Sequence, residues 1–211
     1  MSIKLNAQSG GSVALDAPTQ TTGSADNVYK LPIADGSAGQ VLQTDGSGNL
    51  SWVSPGGITV AHQFRLTSDF AVDDTSSFIT SNLEKVDTSG QGSIGSFDNP
   101  SSGVFTFPLT GIYKVDFQIN ASSSASRRYV GGRIHVTTNN SSYSILSDSS
   151  DGIYVPATGS WGTTETSSLV DVTDTSNVKV KFECYSHGLS TFKGSSTQNR
   201  TFMTFIRLGD T

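Results

Sequence analysis

From residue 58 onward the chain is a succession of short segments in which apolar and polar positions alternate. That period of two is the mark of strands with one buried face. It is clearest in Val60-x-His62-x-Phe64-x-Leu66, in Tyr113-x-Val115-x-Phe117-x-Ile119 and in Val178-x-Val180-x-Phe182-x-Cys184. Further strands are predicted over Leu83–Asp87, Tyr129–Val136, Tyr143–Leu146 and Trp161–Val172, whereas Phe70, Phe78 and Ile79 sit in a loopy stretch. Pro108-x-x-Gly111 between Phe105-x-Phe107 and Tyr113–Ile119 is turn chemistry and predicts an antiparallel pair. Gly131-Gly132 predicts a bulge or bend within its strand. Thr88–Asn99, Ala121–Ser126 and Ser147–Gly152 read as loops. No segment sustains a 3.6-residue period, so little or no helix is expected. The last run, Thr201–Leu208, is apolar on both faces and so must be covered on both.

Residues 1–56 have a different texture. Ile3, Leu5, Val13 and Leu15 alternate about Gly10-Gly11, predicting two short strands. Leu31–Val53 carries Asp35-Gly36 and Asp45-Gly46 turns, with Val41-Leu42 and Leu50-x-Trp52 as apolar pegs. A segment so poor in large apolar groups hardly builds a core alone, and sharing one with copies of itself or with a scaffold resolves that. The alternative is a flexible Gly/Ser linker. Ser54-Pro55-Gly56-Gly57 marks a boundary between a segment 1–56 and a domain 57–211.

Phe105-x-Phe107-Pro108-x-x-Gly111-Ile112-Tyr113-x-Val115-x-Phe117 resembles the centre of the globular head of the complement-q and tumour-necrosis-factor superfamily. The resemblance extends over Ile58–Thr211 and implies a jelly-roll sandwich that assembles as a homotrimer. On this reading the second apolar face of Thr201–Leu208 meets neighbouring copies, with Phe202, Phe205, Tyr113 and Phe117 as candidate interface residues. Leu31–Val53 resembles a segment of bacteriophage tail-fibre and appendage proteins, Asp-Gly-x-Ala-Gly-Gln-Val-Leu, that precedes a distal head. It implies a trimeric stalk or an anchor on other virion proteins. The expected fold is therefore all-β, a trimeric jelly-roll head on an extended, β-rich N-terminal stalk.

Composition agrees with many short strands and turns: 34% of residues are hydrophobic and Gly numbers 22. A net charge of −5 argues against nucleic acid, whose phosphates need clustered Lys and Arg. The leading Met1–Asn6 shows no signal peptide and no apolar run is long enough to span a bilayer, so neither export by a leader nor membrane insertion is expected. Cys184 has no second cysteine to pair with and reads as a small buried apolar residue.

Candidate chemistry is sparse. His62, His135 and His187 are far apart and lack a second ligand at metal spacing, leaving zinc only across a trimer axis. Gly90-x-Gly92-x-x-Gly95 matches a dinucleotide-loop pattern, but Asn99-Pro100 follows where a helix would have to open, so it reads as a turn. Asp73-Asp74 and Asp148-x-x-Asp151 suit calcium or, in Ser/Gly-rich loops, Asx-turns, and the turn reading is preferred. No Gly-x-Ser-x-Gly elbow is present. No enzyme, cofactor or metal is expected. The expected function is that of a virion structural protein, a tail fibre or appendage whose loops contact a host glycan or protein, with Arg127, Arg128, Tyr143 and Trp161 as receptor-facing candidates. The alternatives are a capsid decoration or adaptor that binds other virion proteins, and a polysaccharide depolymerase, which needs a carboxylate pair in a groove.

Overall fold

The computed structural model describes residues 3–6, 12–15, 21, 26–155 and 159–211, and every regular element among them is a strand. The chain divides into two compact units, Met1–Gly56 and Gly57–Thr211.

In the first unit, β1 (Ile3–Asn6) pairs antiparallel with β2 (Ser12–Leu15). The Gly10-Gly11 turn expected between them lies outside the described residues. A second hairpin joins β3 (Val41–Thr44) to β4 (Leu50–Val53). Asp45 organises its turn: the carboxylate accepts from Ser47 N at 2.8 Å and from Asn49 Nδ2 at 2.6 Å, bonds that hold its pKa below the ordinary value. Trp52 lies against Gly36, where a Cβ would come within 2.6 Å of the indole, and its Nε1 donates to Ala34 O at 3.0 Å. Val28, Tyr29, Leu31 and Ile33 nevertheless stand exposed.

The second unit is a two-sheet sandwich. The seven-stranded sheet runs β6 (Phe70–Val72), β15 (Ser190–Phe192), β10 (Gly111–Ser123), β16 (Phe202–Gly209), β5 (Ala61–Leu66) and β8 (Leu83–Lys85), with β13 (Ser160–Val172) on the other edge of β10. The five-stranded sheet runs β12 (Ser144–Ile153), β11 (Arg127–Thr137), β14 (Lys179–Ser186) and β7 (Ser76–Phe78), with β9 (Phe105–Thr106) also on β14. Successive strands cross between the sheets, β10 to β11 and β12 to β13 to β14, as a jelly roll requires.

The core is largely aromatic. Phe205 is central, with its ring centroid 4.8 Å from Phe97, 5.1 Å from Phe105, 5.8 Å from Phe64 and 6.0 Å from Phe107 and Phe182. Cys184 is fully buried, and that burial pushes its thiol well up. Toward β12 and β13 the interior turns polar: Thr164 donates to Ser149 at 3.0 Å, and Ser147 meets Thr166. Beside the core, Arg65 is fully buried in a cage of Glu84 and Asp87 (each 2.7 Å), Thr88 (2.6 Å) and Ser196 O, which satisfies its fork of donors.

Several expectations are corrected. Phe105–Phe107 and Tyr113–Ile119 do not form a hairpin: β9 pairs with β14, and β10 lies between β16 and β13. The Pro108–Gly111 turn carries the chain from one sheet to the other, tied down by Tyr113 Oη donating to Leu109 O at 3.0 Å. Ser147–Gly152 belongs to strand β12, and β10 continues through Ala121 to Ser123. Ser147–Gly152 lies on the edge strand of its sheet, whereas Ala121 and Ser122 are paired on both sides, with β13 and with β15. Gly131-Gly132 is no bulge, because the register of β11 is continuous there on both sides.

Candidate functional site

Alternation gives the seven-stranded sheet a second face, turned away from the core. The strand registers place Leu169, Lys114, Ile206 and Ala61 in one row across it, and Glu165, Gln118, Phe202 and Arg65 in another. Leu169 is 61% exposed and Leu208 53%, while Phe202 and Ile206 are half-buried. Polar groups between them satisfy one another. Lys114 Nζ reaches Asp116 at 2.9 Å, Ser167 Oγ donates to Asp116 at 2.6 Å, and Gln63 Nε2 donates to Thr204 Oγ1 at 3.0 Å. The exposed Glu165 carboxylate makes no bond among the described residues, and beside it this face carries the apolar side chains.

The opposite face of the sandwich, on the five-stranded sheet, carries a polar row and a cleft. Pairing of β12, β11, β14 and β7 aligns Asp148, Arg133, Glu183 and Phe78. Arg133 donates from Nε to Asp148 at 2.9 Å and from Nη1 to Glu183 at 3.1 Å, and His135 Nε2 donates to Glu183 at 3.0 Å. Burial alone would raise the Glu183 pKa, but bonds from Ser76, His135 and Arg133 outweigh it and hold the carboxyl below its ordinary value. One row along, Tyr185 lies flat over Gly131, where a Cβ would come within 2.2 Å of its ring. The Arg133 guanidinium covers the ring from 4.1 Å, a cation–π contact. Tyr185 Oη donates to Asp148 and lies 3.2 Å from Ser149 O. Burial first, and then the bond to Asp148, push its pKa up to about 12. Tyr129 stands beside it with ring centroids 5.8 Å apart, and Asp74, Ser76 and Ser150 complete a cleft of about 520 Å³.

The residues expected at the interface divide. Tyr113, Phe117 and Phe205 are at most 1% exposed within one chain. Their side chains belong to its own core and offer nothing to a neighbour, whereas Phe202 faces outward. The receptor-facing candidates are not brought together. Arg127 is a brace, donating to Leu189 O at 2.9 and 2.7 Å, while Arg128 is exposed beside it. Tyr143 is half-buried under Lys181 Nζ at 4.2 Å, in a separate cleft with Lys179 and Asn140. Trp161 lies on the other sheet, 56% exposed and flanked by Lys193 and Arg200. Asp148 and Asp151 sit three apart on a strand, so they point to opposite faces and do not form a calcium pair. The polar row escapes sequence reading because its members are joined only by cross-strand register; the outward parity of Lys179, Lys181, Glu183 and Tyr185 on β14 is the single trace of it.

No protein-family model and no curated protein matches the chain in sequence. Solved structures do match in fold. The Eiger tumour-necrosis-factor protein of S. frugiperda superposes with a TM-score of 0.55 at 12% identity, covering 74% of this chain and 96% of that one. Murine APRIL at pH 8.0 gives 0.51 at 9% identity, covering 71% of this chain and 98% of that one; its pH 5.0 structure gives 0.50 at 11% identity. At such identities the likeness is one of fold: the second unit is a tumour-necrosis-factor-like jelly roll.

Proposed function

We propose that this chain is a bacteriophage virion structural protein, a homotrimeric tail fibre or appendage whose jelly-roll head contacts the host surface. The observation that carries the trimer is the outward face of β16 and β13. Phe202, Ile206, Leu208 and Leu169 make an apolar surface, backed by the core and left uncovered by the single chain. Apolar side chains left outward on a domain face, even with Lys114, Asp116 and Thr204 between them, suit an interaction site, and the superfamily resemblance supplies a second copy as its occupant. The virion setting rests on the resemblance of Leu31–Val53 to tail-fibre segments. Residues 1–56 would dock on other virion proteins, for which exposed Val28, Tyr29, Leu31 and Ile33 provide apolar contact. The activity is binding, not catalysis, and the place of action is the virion.

The same exposed residues support a second reading, a capsid decoration or adaptor that meets only other virion proteins. Antibody raised against the head and applied to virions produced by cells carrying the gene separates the two. Label at the tail together with blocked adsorption is the expected result. Label on the capsid without blocking transfers the assignment to the second reading, and unlabelled virions overturn both.

A further inference from the structure

We infer that the cleft lined by Tyr129, Arg133 and Asp74 is a binding site for a neutral saccharide, which deepens the adsorption reading and rests on it. Three features point to that class of ligand. The first is an aromatic wall. Tyr129 is 37% exposed and stands at 53° to the buried Tyr185, so the Tyr129 ring, with its polar rim, is the surface left to a ligand that has one apolar face and many hydroxyls.

The second is the hydrogen-bond inventory. Arg133 commits Nε and Nη1 to Asp148 and Glu183, and its Nη2 makes no bond among the described residues. It is a donor left for a ligand acceptor. Asp74 lines the same cleft with a carboxylate acceptor, and Ser76 and Ser150, whose hydroxyls are already bonded to Glu183 and Tyr185, keep lone pairs that can accept. A sugar hydroxyl also donates and accepts, so it satisfies both kinds of group.

The third is charge. The one cation here, Arg133, faces the carboxylates of Asp148 and Glu183, with Asp74 close by. The balance is negative, which disfavours sialic acid, uronic acid or phosphate and leaves an uncharged polyol as the fitting ligand. The neighbouring cleft of Tyr143, Lys179 and Lys181 has the reverse balance and serves as an internal control.

The site is also preorganised. Tyr185 is held on one face by the Gly131 backbone, on the other by Arg133 and at its hydroxyl by Asp148. Little ordering cost therefore remains for binding. Three such clefts on a trimer would turn weak single-site affinity into useful avidity.

The test uses the full chain on an array of neutral hexose- and deoxyhexose-containing oligosaccharides, alongside matched uronic and sialylated ones. Titration calorimetry then follows on the best binder. We expect wild type to bind at least one neutral oligosaccharide and Tyr129→Ala to weaken it at least tenfold. Tyr143→Ala, in the other cleft, should leave it unchanged. Tyr129 is a partly exposed strand residue, so its truncation spares the core; Gly131→Ala, whose methyl would displace the Tyr185 ring, should weaken binding if that variant folds. Absence of neutral binding, indifference to Tyr129→Ala, or a preference for acidic sugars would overturn the site. A head that labels virions at the tail and blocks adsorption yet binds no neutral saccharide sinks this inference alone. Unlabelled virions sink the reading beneath it.

Discussion

Gly131 and Gly132 are neighbours on β11 that serve opposite faces of it. A Cβ at Gly132 would meet Phe117 Cε1 at 2.7 Å inside the core, while one at Gly131 would meet the Tyr185 ring outside. Each glycine lets an aromatic ring lie flat on the strand, which accounts for the pair better than a bulge does. Gly132→Ala should therefore cost about 1–3 kcal/mol by overpacking, read as a lowered urea midpoint at unchanged slope. Glu183 offers a pH signature. Its folded-state pKa lies below the ordinary 4.5. Its stabilising contribution is thus present above that value and lost as the pH falls through the folded-state pKa. Between pH 7 and pH 3, Glu183→Gln should flatten the acid loss of stability relative to wild type; an unchanged acid limb would show that its bonds to Ser76, His135 and Arg133 carry no weight. Tyr185 acts at the other end, since a pKa raised to about 12 means stability present below pH 10 and lost as the pH rises through 12.

Among the elements, β16 shows how much alternation alone can say. Met203 and Phe205 face the core, and Phe202, Thr204 and Ile206 face away, so Phe202 and Phe205, expected together at an interface, lie on opposite faces: with apolar residues on both, the pattern does not say which is inward. Truncation of Phe205, with five phenylalanine rings around it, should cost about 3–5 kcal/mol and lower the thermal midpoint by a shift visible in calorimetry. Alternation does not say which strands are neighbours. Phe105 and Tyr113 are both core residues, so the short turn between them reads as a hairpin, although the chain there passes between sheets. Ser147–Gly152 fails for a different reason. A strand at a polar seam has no apolar face, so its period is invisible and only its partners, Ile134 to Val130 across β11, hold it extended.

For the whole molecule, the exposed face of the seven-stranded sheet leads to a clean prediction. Ile206→Asp or Leu169→Asp should convert a trimer to a monomer by light scattering while leaving the far-ultraviolet circular dichroism intact, because both side chains lie outside the core. A monomeric wild type would remove the trimer from the proposal. Residues 57–211 expressed alone should keep a cooperative unfolding transition, since the aromatic core lies entirely within them. Residues 1–56 alone should show none, because their apolar side chains between Val28 and Ile33 are exposed.

The chain by itself determined the all-β character and most of the core, because strand side chains alternate with a fixed period and that period is written in the order of residues. Val60–Leu66, Tyr113–Ile119 and Val178–Cys184 needed no more than this to be placed with one face inward. Only the tertiary structure decided the pairing of β9 with β14, the burial of Arg65 in its cage, and the meeting of Asp148, Arg133, Glu183 and Tyr185. These are contacts between residues far apart along the chain, set by register and by which sheet each strand joins, and no local pattern encodes them.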